Sequence, residues 1–213
     1  MKPRYNYITI EGNIGAGKTS LANKLALEFN ATLILEQFAD NPFLPLFYEQ
    51  PTRYAFPLEL FFMAERFQQL KETTSAQEIF TPTVIADYLF IKSLLFSKIN
   101  LSEDEYKLYS RIFNYIYTSL PQPELLVYLH SDVSQLLNNI TKRGREYEKK
   151  ISGDYLQSIQ QTYFNYFKTQ SNLKIVIVDT GNIDFINDES SYEKILELFQ
   201  KEFDYGINYY QIV

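Results

Sequence analysis

The sequence predicts an α/β fold: a five-stranded parallel sheet flanked by helices on both faces. Three observations carry this. Short β-branched runs alternate with long helical patterns along the 213 residues. The runs are nearly continuous in apolar residues, as strands covered on both faces are. A glycine-rich turn joins the first run to the first helical pattern. In chain order the strands are YITIE (7–11), LILE (33–36), VIAD (84–87), LLVYL (125–129) and IVIVD (175–179). Helical patterns cover 18–29, 54–71, 102–120, 132–142, 152–168 and 191–203. The third opens with a capping box, Ser102 and Glu105, and keeps Tyr106, Tyr109, Phe113, Ile116 and Tyr117 on one broad face. Ligands of such sheets sit at the carboxyl ends of the strands. Three of those ends carry a functional-looking residue: Glu11, Glu36 and Asp87. The stretch 37–52 is irregular and suited to shaping a pocket. No linker or repeat divides the chain, so 1–213 reads as one domain with a full core.

Composition removes several function classes. The net charge is −6, so a general nucleic-acid binder, which needs a basic face, is not expected. There is no cysteine, which excludes disulfides, thiolate metal sites and a cysteine nucleophile. No apolar run approaches the ~18 residues of a membrane span, and the start MKPRYNYITIEG enters a strand directly. A cytoplasmic protein with no membrane partner is therefore expected.

Residues 12–19 match the pattern G-x-x-x-x-G-K-[ST]. Gly12, Asn13, Ile14, Gly15, Ala16 and Gly17 form a loop whose backbone N–H groups point at phosphate oxygens. The positive end of the next helix adds to that field. Lys18 would reach the outer phosphates, and the Thr19 hydroxyl would ligate Mg²⁺. A nucleotide is expected to bind here. The alternative, an ordinary glycine turn between strand and helix, is set aside because the strand before and the helix after both fit what the motif requires.

Glu36 ends the second strand, where a carboxylate either accepts a proton from an acceptor hydroxyl or is simply solvated. The stretch that follows, EQFADNPFLPLFYEQPTRYAFPLELFFMAERFQQL (36–70), is rich in aromatics and poor in free charge. It suits the wall of a pocket for a flat, partly apolar ligand, although core packing explains most aromatics at helical spacing. Further on, KRGREYEKK (142–150) places Arg143 and Arg145 at the end of a helical pattern. Two guanidiniums beside a phosphate loop stabilise charge on a transferring phosphoryl group. A basic helix end is otherwise commonly just solvated.

IEGNIGAGKT, the glutamate after the second strand, FYEQPTRYAFPLELFF, RGREYE and DTGNIDF, in that order and spacing, resemble the deoxynucleoside kinase family. The resemblance runs through nearly the whole chain. It implies a P-loop kinase fold with a lid at about 142–152, a homodimer, and ATP with Mg²⁺ as the phosphoryl donor. It also implies roles by position. Glu36 would be the base for the 5′-hydroxyl, with Lys18, Arg143 and Arg145 stabilising charge. Tyr48 and Glu148 would hold the sugar 3′-hydroxyl, and Glu59 would read the base edge. Asp87 would help Thr19 hold Mg²⁺, and Asp184–Phe185 would lie against adenine.

The chain departs from the family pattern in two places that matter. An arginine usually follows the acidic residue of the third strand, and here Tyr88 stands there. Lys92, one turn on, and Arg66, on the wall helix, are the candidate replacements; an exposed helix lysine is the other reading of Lys92. Glu59 stands where the family generally has glutamine. An ionised carboxylate only accepts hydrogen bonds, which suits the N1–H and N2–H of guanine and not N1 of adenine. A deoxyguanosine preference follows, unless Glu59 instead forms a water-bridged pair with Arg66. Asn139 stands near where another lid arginine is usual. His130, the only histidine, reads as structural or solvated, and the aromatic tail 205–213 as irregular, docking on the body or on a second subunit.

Two rival readings follow from the same residues. A thymidylate-type nucleoside monophosphate kinase needs a cation cluster for the acceptor's phosphate, and the wall offers only Arg53 and Arg66. A weakly catalytic nucleotide-binding or sensor protein would suit the missing arginine.

Overall fold

The structure is a computed structural model that describes residues 2–37, 41–75, 83–181 and 183–212. Part of the irregular pocket stretch, 38–40, lies outside the described residues. The strands are β1 (Tyr7–Gly12), β2 (Thr32–Ile34), β3 (Val84–Ala86), β4 (Leu125–His130), β5 (Lys174–Asp179) and β6 (Gly206–Tyr210). All pair in parallel, in the order β2-β3-β1-β4-β5-β6. The sheet thus has six strands where five were expected. The sixth is the aromatic tail, which docks on the body by pairing with β5. Its sequence, GINYY, carries the β-branched and aromatic residues of an edge strand and follows the crossover helix over Glu189–Leu198, but its glycine, asparagine and exposed Tyr209 break the continuous apolar run that marks the other strands.

Helices cover both faces, as expected: α1 (Lys18–Phe29), α2 (Phe43–Glu49), α3 (Pro51–Ser75), α4 (Lys92–Asn100), α5 (Glu103–Tyr117), α6 (Val133–Arg143), α7 (Gly153–Phe167) and α8 (Glu189–Leu198). Helix α1 has the predicted bounds, and the Ser102–Glu105 capping box opens α5. Helices α2 and α4 were not anticipated. Strand side chains alternate between two cores. Ile8, Ile10, Val127, Leu129, Val176 and Val178 pack with α1, α6 and α8 on one face. Ala86, Leu126, Tyr128, Ile175 and Ile177 pack on the other, against Met63 of α3, Leu95 of α4, Phe113 of α5 and Tyr163 of α7. No helix among the described residues is long and apolar enough to cross a membrane.

Candidate active site

The loop after β1 is shaped by backbone constraints that only glycine meets easily. Gly15 and Gly17 adopt φ of 84° and 85°, in the left-handed region. A Cβ on Gly17 would sit 2.8 Å from the ring of Phe185, and one on Gly15 would sit 2.8 Å from the Leu136 carbonyl oxygen. The loop is therefore held between α6 and the segment after β5. Asn139 reinforces that contact, its Nδ2 donating to the Gly15 carbonyl at 2.9 Å. A side chain that the sequence suggests as a lost lid arginine thus braces the loop.

Behind the loop lies a buried carboxylate. Glu11 is fully buried and accepts from the Gly12 N–H, the Leu89 N–H and the Tyr163 hydroxyl at 2.9–3.0 Å. It ties the start of the loop to the turn after β3. The Lys18 ammonium donates to the Asn13 carbonyl at 2.9 Å. Burial and the nearby Lys92 ammonium lower its pKa to about 8, against the pull of Glu11, Glu36 and Asp87. The Thr19 hydroxyl donates to Asp87 Oδ2 at 2.6 Å, and the other Asp87 oxygen accepts the Glu36 N–H at 2.7 Å. The ends of β1, β2 and β3 therefore meet at one rim, as the strand-end carboxylates suggested.

Glu36 is not a solvated strand end. Its Oε1 accepts from Arg66 Nε at 2.9 Å and also from Arg66 Nη2, and its Oε2 pairs with Lys92 Nζ at 2.7 Å. Burial pushes the carboxyl up, but Lys92 and Arg66 outweigh burial and hold it well below the usual carboxylate range. Lys92 is buried, contrary to the exposed-lysine reading. Tyr88 explains why the cation comes from there. Its ring is fully buried in the core and its hydroxyl donates to Gln69 Oε1 at 2.8 Å, so position 88 faces away from the cavity.

The cavity beside Glu36 encloses about 860 Å³, counting its open mouth. Lys18, Thr19, Asp87, Lys92 and Arg66 line one end, and Tyr48, Glu59, Phe62, Phe96 and Tyr155 line the rest. Glu148, 4% exposed, accepts from Arg143 at 2.6 Å and Arg145 at 3.2 Å, and both arginines line this cavity. Tyr147 stacks on Tyr48 at 6.0 Å between centroids and lines the same cavity. A second cavity opens on the other side of the loop, lined by Gly17, Asn139, Lys142, Thr180, Asp184 and Phe185. Phe185 is buried and Asp184 exposed.

Glu59 is 2% exposed, and burial raises its pKa to about 7. Arg66 makes no direct ion pair with it and donates to Glu36 and to Ser93 Oγ. Instead Glu59 Oε1 accepts from Asn100 Nδ2 at 2.6 Å. Sequence reading missed Asn100, Ser93 and Tyr155. Asn100 ends α4 just before a capping box, where a polar residue reads as a helix stop. Arg53 is exposed over the Tyr54 ring and does not line the cavity. His130 packs edge-on against Phe164, and no group of three metal-ligating side chains exists among the described residues.

A family model described as deoxynucleoside kinase matches residues 8–203. The chain is 36% identical over 193 residues to a deoxyguanosine kinase of Bacillus subtilis, covering 89% of this chain and 93% of that protein. It is 30% identical over 199 residues to a deoxyadenosine/deoxycytidine kinase of the same organism, covering 92% of each. The fold is similar to that of deoxyadenosine kinase from M. mycoides solved with dATP, with a TM-score of 0.77 and 21% identity over 90% of this chain and 97% of that one.

Proposed function

Because the chain belongs to the deoxynucleoside kinase family, we propose that it transfers the γ-phosphoryl group of ATP to the 5′-hydroxyl of a deoxynucleoside, deoxyguanosine being preferred. The observation that carries this is the pairing of Glu36 with Lys92 in the cavity that also holds Lys18 and Glu148. A hydroxyl acceptor at Glu36 lies next to the phosphate loop, and its sugar lies toward Tyr48 and Glu148. The preference for deoxyguanosine is supported by Glu59 and by the similarity to deoxyguanosine kinase of Bacillus subtilis.

In the transfer, the 5′-oxygen attacks the γ-phosphorus as the bond to the β,γ-bridging oxygen breaks. ADP leaves, and the hydroxyl proton passes to Glu36. A carboxyl held at a low pKa is a weak base in the ground state. In a loose transition state the proton moves late, so Glu36 acts first by orienting the hydroxyl. Lys92 and Arg66 keep Glu36 ionised and fixed, while Lys18, Arg143 and Arg145 meet the charge on the phosphoryl oxygens. Thr19 and Asp87, an alcohol and a carboxylate at 2.6 Å, fit a hard cation that keeps most of its own waters, as Mg²⁺ does. Mg²⁺ bound there would neutralise phosphate charge. Asp184 and Phe185 belong to the adenine side in this reading. The lid is 142–152 within a single domain, in the cytoplasm. A homodimer fits the exposed Leu108 and Tyr115 on α5.

The thymidylate-type reading is weakened because Arg53 stands outside the cavity and Arg66 is occupied. The test is product formation from ATP and Mg²⁺ with each of the four deoxynucleosides, beside a no-acceptor control. Monophosphate from deoxyguanosine above the others is expected. Tight ATP binding with no product would favour the sensor reading.

A further inference from the structure

Glu59 supplies two acceptors, but guanine presents three groups on its Watson–Crick edge: the O6 acceptor, then the N1–H and N2–H donors. A site that reads the whole edge needs a donor beside the carboxylate. The cations in the cavity are poorly disposed for this. Lys92 is bound to Glu36, and Arg66 directs three N–H groups to Glu36 and Ser93. Asn100 is the uncharged donor that stands next to Glu59. Its Nδ2 lies 2.6 Å from Glu59 Oε1, and both side chains line the same cavity. Among the described residues, nothing donates to Glu59 Oε2.

We propose that Asn100 and Glu59 together form a cytosine-like edge that reads guanine. The Asn100 amide donates to O6, and the two carboxylate oxygens accept from N1–H and N2–H. An amide nitrogen carries two N–H groups, so one holds Glu59 Oε1 while the other addresses the base. Its grip on the carboxylate also orients Glu59 and lessens the cost of keeping it ionised. Tyr155 lines the same cavity and its oxygen takes a hydrogen bond from the Asn100 side chain, a contact that guanine O6 takes over on binding. Adenine places a donor at position 6 and an acceptor at N1, so it meets the pair donor to donor and acceptor to acceptor. The assignment rests on the reading of Glu59 as the reader of the base.

The test compares kcat/KM for deoxyguanosine, deoxyadenosine, deoxyinosine and 6-thiodeoxyguanosine in the wild type, Asn100→Leu and Glu59→Gln. The thio analogue keeps N1–H and the 2-amino group but replaces O6 with a weakly accepting sulfur. Deoxyinosine keeps O6 and loses the 2-amino group. In the wild type, 6-thiodeoxyguanosine is expected to be about tenfold poorer than deoxyguanosine. In Asn100→Leu, deoxyguanosine falls by about tenfold or more, and its advantage over the thio analogue disappears. The deoxyinosine-to-deoxyguanosine ratio stays as in the wild type, because Glu59 still reads N2–H. An equal loss on all four substrates would make Asn100 a structural prop and overturn the proposal. If Glu59→Gln moves the base preference while Asn100→Leu does not, the reading of Glu59 stands and this one falls. If Glu59→Gln moves nothing, both fall. Wild-type indifference to the thio analogue overturns the proposal without any variant.

Discussion

Glu59→Gln exchanges a buried carboxylate for an amide of the same shape, and its effect on stability is set by the environment of residue 59. The side chain is 2% exposed and titrates near 7, where its ordinary value is 4.5. The folded pKa lies above the unfolded one, so the contribution of Glu59 to stability is fully present below pH 4.5. It is lost as pH rises through 7. Holding the ionised form in the fold costs about 3 kcal/mol well above pH 7, of which about 2 kcal/mol develops between about pH 5.5 and 8.5. The glutamine variant is neutral throughout. Its stability relative to the wild type should therefore rise by about 2 kcal/mol across that interval, or a widening of roughly 4–8 °C in Tm for a chain of this size. Thermal unfolding of the ligand-free proteins in matched buffers reads this directly. Deoxyguanosine should reverse the trend: it binds the ionised carboxylate, so its affinity rises with pH through 7 in the wild type and not in the variant. A constant Tm gap from acid to alkaline pH would refute the buried, ionisable carboxylate on which the guanine preference rests.

The other predictions concern the phosphoryl-transfer end of the cavity. Lys92→Ala removes the ammonium 2.7 Å from Glu36 and should lower kcat by about 10²–10³ with little change in the deoxynucleoside KM; unchanged turnover in steady-state kinetics would end its role as replacement for the absent arginine. Lys18, lowered to about 8, loses charge as pH rises, so KM for ATP should climb above that pH while KM for the deoxynucleoside stays level; a flat ATP profile to pH 9.5 or so would contradict it. Glu148→Ala removes the carboxylate that Arg143 and Arg145 share and, in the proposed reading, the partner of the 3′-hydroxyl. Its deoxynucleoside KM should rise by about tenfold, and the enzyme should cease to distinguish deoxyguanosine from 2′,3′-dideoxyguanosine. Retained discrimination would move the 3′-hydroxyl site elsewhere.

How much of this was legible follows from the range of each signal. The phosphate loop is local: its eight residues carry the turn, the helix start and the lysine, so 12–19 could be read before any fold was known. The strand-end carboxylates were legible one step further out, because a parallel sheet brings the ends of β1, β2 and β3 to one rim. Strand β6 was not, because GINYY at the sheet edge lacks the continuous apolar run of a strand covered on both faces, although α8 supplies its crossover. Asn100 was not, because its meaning depends on a contact 41 residues away in sequence with Glu59.

Lys92 and Tyr88 show how the two ranges combine. Sequence comparison within the family pattern exposes a missing arginine but cannot say where a replacement would point. The β3 end supplies the answer. Glu11 fixes the Leu89 N–H, and that anchor sets the phase of the turn leading into α4. Tyr88 is thereby directed into the core against Gln69, and Lys92, at the first position of α4, is directed at Glu36. An arginine at 88 would have to be buried in the aromatic core or would have to turn the phase of the segment. A lysine one turn later brings a positive charge to Glu36 without either change. The inward Tyr88 and the Lys92 cation at Glu36 thus share one backbone phase, to which the Glu11 carboxylate contributes through the Leu89 N–H.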